Sequence, residues 1–176
     1  FARDILHGGP QTLGFLMASA GVGSLVATVY LASRKTVVGL GRLIPASAAL
    51  FALFIALFSI SHTLWISLTL LVATGFCMMV NMAACNTILQ TISDDDKRGR
   101  VMSFYTVAFI GMAPIGSIIT GALAARIGVS NTLIIGGAIC ITSAAIFARK
   151  LPQLRAAIHP IYRKMGIIPE VASAIS

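Results

Sequence analysis

The sequence predicts an all-α polytopic membrane protein with five transmembrane helices. Hydrophobic residues make up 57% of the 176 residues and charged residues only 10%, whereas a soluble domain usually carries about 25% charged residues. The mean hydropathy is +0.94. The apolar residues form long runs without the ten-residue alternation that is typical of a membrane β-barrel. A chain of this composition cannot cover a water-facing surface, so we expect a bilayer as its solvent and partner.

Five runs reach the roughly 20 apolar residues that a helical span needs. Inside a bilayer each backbone amide must be satisfied within its own segment, which predicts helices. The third run has 29 residues and is longer than the hydrocarbon core requires, so we expect it to tilt or to project. The predicted spans are 11–32, 43–60, 64–92, 101–125 and 130–148 within a membrane unit of 1–150, and residues 151–176 are predicted to form a cytoplasmic tail.

The basic residues predict the orientation of these spans. Eleven of the 13 lysines and arginines fall in residues 33–42, in residues 93–100 or after residue 148. Loops rich in lysine and arginine stay on the cytoplasmic side, which predicts a cytoplasmic C-terminus. Because these residues lie in short loops between apolar runs, the net charge of +8 indicates membrane topology and not nucleic-acid binding.

The motifs of common enzymes are missing from the sequence. It contains no G-x-x-x-x-G-K-[ST] phosphate loop and no H-E-x-x-H zinc motif. The three cysteines lie in apolar runs without C-x-x-C spacing, as small hydrophobic residues do. We therefore predict no catalytic residue, no cofactor, no metal and no enzymatic activity.

Polar side chains within spans are costly and usually face the interior of a bundle. Asn81 is the strongest candidate to line a cavity, and the alternative is an interhelical hydrogen bond that only holds the bundle together. No Asp, Glu, His, Lys or Arg falls in the middle of a predicted span. Such a neutral wall suits an amphiphilic substrate better than a sugar phosphate or a small ion. The further cavity candidates are Thr74, Thr28, Tyr105, Asn86 and Gln90.

Small residues recur at helical spacing in the first and fourth spans. Helices approach closely in membranes where small residues meet, which predicts packing faces, and Pro114 removes one backbone hydrogen bond and predicts a bend. Ordinary packing and a flexible bend that follows the motion of the bundle both remain open. The residues concerned are Gly14, Ala18, Gly21, Gly111, Gly116, Ser117 and Gly121.

Residues 94–128 read DDDKRGRVMSFYTVAFIGMAPIGSIITGALAARIG. The R-G-R after an acidic run, followed by G-x-x-P-x-G-x-x-x-x-G, resembles the major facilitator superfamily. More narrowly, it resembles the bacterial drug and siderophore exporter branch that includes macrolide-efflux and enterobactin-export proteins. In the family, the loop between the second and third helices of each half usually reads G-x-x-x-D-R-x-G-R-R. The corresponding residues 33–42 keep Gly41 and Arg42 but lack the acidic residue of this pattern.

The resemblance implies that the chain forms most of the C-terminal six-helix bundle of a twelve-helix transporter in the bacterial inner membrane. About seven further helices would then belong to a missing N-terminal partner half. It also implies a secondary exporter of small-molecule substrates, with the start of the fourth helix, at about Gly99 to Ser103, forming half of a cytoplasmic gate. A non-transporting scaffold or partner subunit and a lipid or lysophospholipid transporter are the alternatives. The gate candidates are Asp96, Arg98, Gly99, Arg100 and Ser103.

Overall fold

The computed structural model describes residues 9–34 and 39–164. In these two ranges the chain forms five α-helices and no strand, and each helix is long and apolar enough to cross a membrane. The predicted fold class and the predicted number of spans are confirmed. The helices are α1 (Pro10–Ala32), α2 (Leu40–Ser59), α3 (Leu64–Ile92), α4 (Asp95–Ile127) and α5 (Val129–Lys164).

The helix ends follow local chemistry. Pro10 occupies the first turn of α1, where its missing N–H leaves no hydrogen bond unmade. Gly39 precedes α2 with φ 92° and Gly128 separates α4 from α5 with φ 84°, a left-handed conformation that glycine adopts without a steric penalty. Gly128 thereby lets α5 begin one residue after α4 ends.

Two helices extend well beyond their predicted spans. α4 begins at Asp95 and not near residue 101, because Asp95 and Asp96 in its first turn are stabilised by the positive end of the helix dipole. α5 continues from the membrane segment to Lys164 through Pro152 and Pro160. Each proline removes one backbone hydrogen bond, but the helix continues past residue 148, where the predicted span ends. The remainder of the predicted tail, 165–176, lies outside the described residues.

α3 is the centre of the packed body. α1 and α2 both pack along α3, and α5 packs along α2. The buried residues of α3 include Ser67, Cys77, Val80 and Ala84. In contrast, α4 has no buried residue and contacts chiefly α5. The described helices therefore form a body of four helices with α4 along its edge.

A close approach of backbones joins α1 to α3. A Cβ atom placed on Gly23 would overlap the carbonyl oxygen of Val72, and one placed on Gly75 would overlap that of Ala20. The Ser24 hydroxyl also donates to the Gly75 carbonyl at 3.3 Å. The two helices can lie this close only because both positions lack a side chain.

The predicted packing face of α1 does not meet another of the described helices. Gly14 and Gly21 have no atom within 4 Å of an added Cβ, and Ala18 is exposed. Two residues turn a helix by about 200°, so the face that carries Gly21 points away from α3 when Gly23 meets it. The other predicted packing residues have no close neighbour among the described residues either, since a Cβ would meet nothing at Gly111, Gly116 or Gly121, and Ser117 is exposed.

Candidate functional site: a groove between four helices

A groove with a volume of about 490 Å³ lies between α2, α3, α4 and α5. Most of its residues come from the first half of α2 and α4 and from the second half of α3 and of the membrane segment of α5. It therefore lies in the half of the bundle that carries the α1–α2 and α3–α4 connections. The lining residues are Ile44, Pro45, Ala48, Phe51, Met78, Asn81, Met82, Cys85, Tyr105, Phe109, Cys140, Ser143, Ala144 and Phe147.

Asn81 connects the groove to the packing of the bundle. Its Nδ2 donates to the Ile44 carbonyl at 2.9 Å and to Ser47 Oγ at 3.2 Å. Ser47 Oγ also donates to the Ile44 carbonyl at 3.1 Å. The two roles that the sequence left open therefore coincide: the side chain lines the groove and its amide nitrogen ties α3 to α2.

The amide oxygen of Asn81 accepts a hydrogen bond from a thiol. Cys85, one turn further along α3, donates from Sγ to Asn81 Oδ1 at 3.9 Å. Because this bond is long and weak, the amide oxygen keeps capacity for another donor. Asn81 is thus the main hydrogen-bonding side chain of the groove wall.

Aromatic and sulfur-containing side chains form most of the remaining wall. Tyr105 and Phe109 stack on α4 with ring centroids 6.2 Å apart and planes 25° apart. Met78 and Met82 are 54% and 37% exposed, so they present their side chains to the groove instead of filling the core. No lining residue carries a charge. The groove is therefore neutral and mainly apolar.

Four of the predicted cavity residues lie outside this groove. Thr74 is buried and donates to Leu70 O, and Thr28 is exposed and donates to Ser24 O. Such bonds to the preceding turn satisfy a hydroxyl within its own helix. Gln90 donates to Asn86 at 2.9 Å on α3. Asn81 and Tyr105 are the two predicted cavity residues that line the groove.

The sequence reasoning missed the apolar part of the wall. Phe51, Met82 and Phe147 line the groove but look like lipid-facing or core residues in a chain this apolar. One feature of the sequence indicates this wall: Met78 and Met82 are four residues apart, which places two thioethers on one helix face.

The acidic run lies at the start of α4. The amides of Lys97 and Arg98 donate to Asp94 O at 3.0 and 2.8 Å. Lys97 pairs with Asp94 at 3.3 Å, and Arg98 pairs with Asp95 at 2.8 Å. Arg98 Nε also donates to the Gln90 carbonyl at 3.2 Å, which links the beginning of α4 to the end of α3.

The predicted position of the helix start is wrong. Gly99, Arg100 and Ser103 lie inside α4, so their amides belong to the helix interior, and Ser103 Oγ donates to Arg100 O at 2.8 Å. The helix start is instead at Asp95, where the acids already occupy the positive end of the dipole. Asp96 and Arg100 are exposed and make no ion pair with the described residues.

Five helices that are long and apolar enough to cross a membrane, four of which line a neutral groove, define a multi-pass membrane protein. The chain matches the family described as transmembrane secretion effector over residues 1–173. It belongs to this family of the major facilitator superfamily, whose members are transporters. Comparison with curated proteins and with solved structures gives no match.

Proposed function

We propose that the chain forms part of a secondary active exporter of small amphiphilic molecules of the drug or siderophore type. The observation that carries this proposal is the groove around Asn81, which combines an uncharged apolar wall with a hydrogen-bonding amide. Sites for small molecules commonly combine apolar walls with a few placed polar groups. The family membership supports transport as the purpose of the groove.

The wall chemistry favours substrates with one large apolar part. An apolar group placed against Phe51, Met78 and Phe109 loses its contact with water without displacing a charged protein group. A hydrogen-bonding group of the substrate meets Asn81. A sugar phosphate would lose its hydration without meeting a cation in this wall, which is costly.

The proposed mechanism is alternating access between two helical bundles. In this proposal an N-terminal half supplies the opposite wall of the pathway, and the basic connections face the cytoplasm of a bacterial cell. The groove then lies in the cytoplasmic half of the bilayer, where an exporter loads its substrate. The pair formed by Arg98 and Asp95, and the bond from Arg98 to Gln90, would hold the beginning of α4 in place as half of an inner gate.

Dye accumulation in bacterial cells tests this proposal. Cells that lack their own major exporters are given a fluorescent amphiphilic dye, with and without the native protein in the membrane. We expect lower accumulation with the native protein and a loss of this effect with Asn81→Leu. Asn86→Leu is the matched control, because among the described residues Asn86 bonds only to Gln90 in its own helix, and it lies outside the groove.

Two results would contradict the proposal. Equal accumulation of a panel of dyes and siderophores in both strains, with the protein present in the membrane, would favour a scaffold function. Movement of labelled lysophospholipid alone would favour the lipid transporter of the same superfamily.

A further inference from the structure

Sulfur-containing side chains are concentrated in the groove. The chain has seven methionines and three cysteines, and four of these ten residues are among the 14 that line the groove. An even distribution along 176 residues would place fewer than one there. The four residues are Met78, Met82, Cys85 and Cys140.

Three of the four share one face of α3. Met82 follows Met78 by four residues and precedes Cys85 by three, and residues at these spacings have Cβ atoms about 5–6 Å apart. Methionine has three rotatable side-chain bonds and can adjust the position of its sulfur. Cys140 lines the same groove from α5. Two helices thus present thioethers and thiols to one space.

The donor set selects the kind of ion. Thioether and thiol ligands are soft and favour Cu(I), whereas Mg²⁺ and Ca²⁺ favour oxygen ligands. Among the described residues no group of three or more His, Cys, Asp and Glu is placed to hold a metal. The groove therefore lacks the donors of an ordinary zinc or calcium site and has those of a soft-metal site.

Charge balance favours a monovalent ion. When Cu(I) binds, the Cys85 thiol releases its proton to solvent and the thiolate forms the sulfur–copper bond, while Cys140 binds as a neutral thiol, so that the ion and its ligands are neutral together. A neutral complex avoids most of the cost of placing charge in an apolar medium. The lack of charged groups in the groove disfavours hard ions but does not disfavour Cu(I). Asn81 Oδ1, which accepts from Cys85, orients the thiol.

We propose that Met82 and Cys85, with Met78 and Cys140, bind a soft monovalent metal ion of the Cu(I) class in this groove. The proposal is independent of the exporter function. Metal binding can fail while dye export persists, and dye export can fail while metal binding persists.

A chelator competition measures the binding directly. The native protein in lipid nanodiscs is titrated anaerobically against a coloured Cu(I)–chelator complex, and bound copper is counted by mass spectrometry. We expect about one Cu(I) per protein in the wild type. Cys85→Ser and Met82→Leu should each weaken the affinity at least about tenfold. Zn²⁺ should not compete.

Cys77→Ser and Met79→Leu are the matched controls, since both residues lie on α3 but outside the lining of the groove. They should bind copper like the wild type. Helical circular dichroism and elution as a single species verify that each variant is folded. No stoichiometric copper binding, or an equal loss in the groove variants and the controls, would overturn the proposal, as would a copper X-ray absorption spectrum without sulfur ligands.

Discussion

Gly23 of α1 and Gly75 of α3 each face the backbone of the other helix. The first lies against the Val72 carbonyl and the second against the Ala20 carbonyl, so each position has no room for a Cβ atom. The contact is reciprocal, and it fixes both the depth and the rotation of α1 on the central helix. Because α2 also packs on α3, this contact determines how α1 relates to the groove helices.

Alanine at Gly75 should destabilise the bundle. The added methyl group meets backbone atoms that can move only if the helices separate, which costs about 1–3 kcal/mol. Gly116→Ala on α4 is the control, because a Cβ there meets nothing within 4 Å and alanine favours a helix. Thermal unfolding in detergent should show a lower midpoint for Gly75→Ala only. Equal midpoints for both variants would show that the close approach does not exist.

Removing the Asn81 amide should loosen α2 from α3. Asn81→Leu eliminates the bonds to Ile44 O and Ser47 Oγ, and interhelical hydrogen bonds in membranes are worth about 0.6–1.7 kcal/mol. A double-mutant cycle with Ser47→Ala, read by unfolding in denaturing detergent, separates the bond to Ser47 from the bond to Ile44. Additive effects of the two substitutions would rule out the coupling between the two side chains.

The ion pairs of the α4 start should matter little for stability. Arg98 and Asp95 are 47% and 89% exposed, and exposed pairs contribute about 0.5 kcal/mol. Arg98→Glu should therefore leave membrane insertion and thermal stability nearly unchanged but reduce dye export if the gate is correctly placed. Arg100→Glu is the comparison, because Arg100 has the same charge but makes no ion pair with the described residues. Unchanged export by Arg98→Glu would remove Arg98 from the gate.

Pro114 should affect the movement of α4 during export more than the thermal stability of the protein. Alanine restores the backbone N–H that can bond to the Ile110 carbonyl, and α4 has no buried packing to disturb. We expect Pro114→Ala to keep the unfolding temperature and to slow dye export. A lower unfolding temperature would indicate that the proline has a packing role.

The sequence predicted the helices best where polarity changes at the membrane boundary. α3 has the bounds that its apolar run indicates, because polar residues follow on both sides. The start of α4 was missed because Asp95, Asp96 and Lys97 are too polar for a span yet suit a first helical turn. Hydropathy identifies the apolar segment, and the helix itself continues past it.

The groove was predictable only through its polar residues. Asn81 is unusual in an apolar helix, so the sequence identified it. Phe51 and Met82 have the same chemistry whether they face lipid, core or a groove, and only the packing of α2 against α3 distinguishes these surroundings. Gly23 and Gly75 were missed for a related reason, since the rotation of a helix toward its neighbour cannot be read from one sequence alone.

Filling the groove and measuring export tests most directly whether the substrate passes through it. Ser143 lines the groove on α5, whereas the adjacent Thr142 is exposed outside it. Dye accumulation should rise to the level of cells without the protein for Ser143→Trp and stay at the wild-type level for Thr142→Trp, at equal amounts in the membrane. If Ser143→Trp exports like the wild type, the substrate does not pass through this groove.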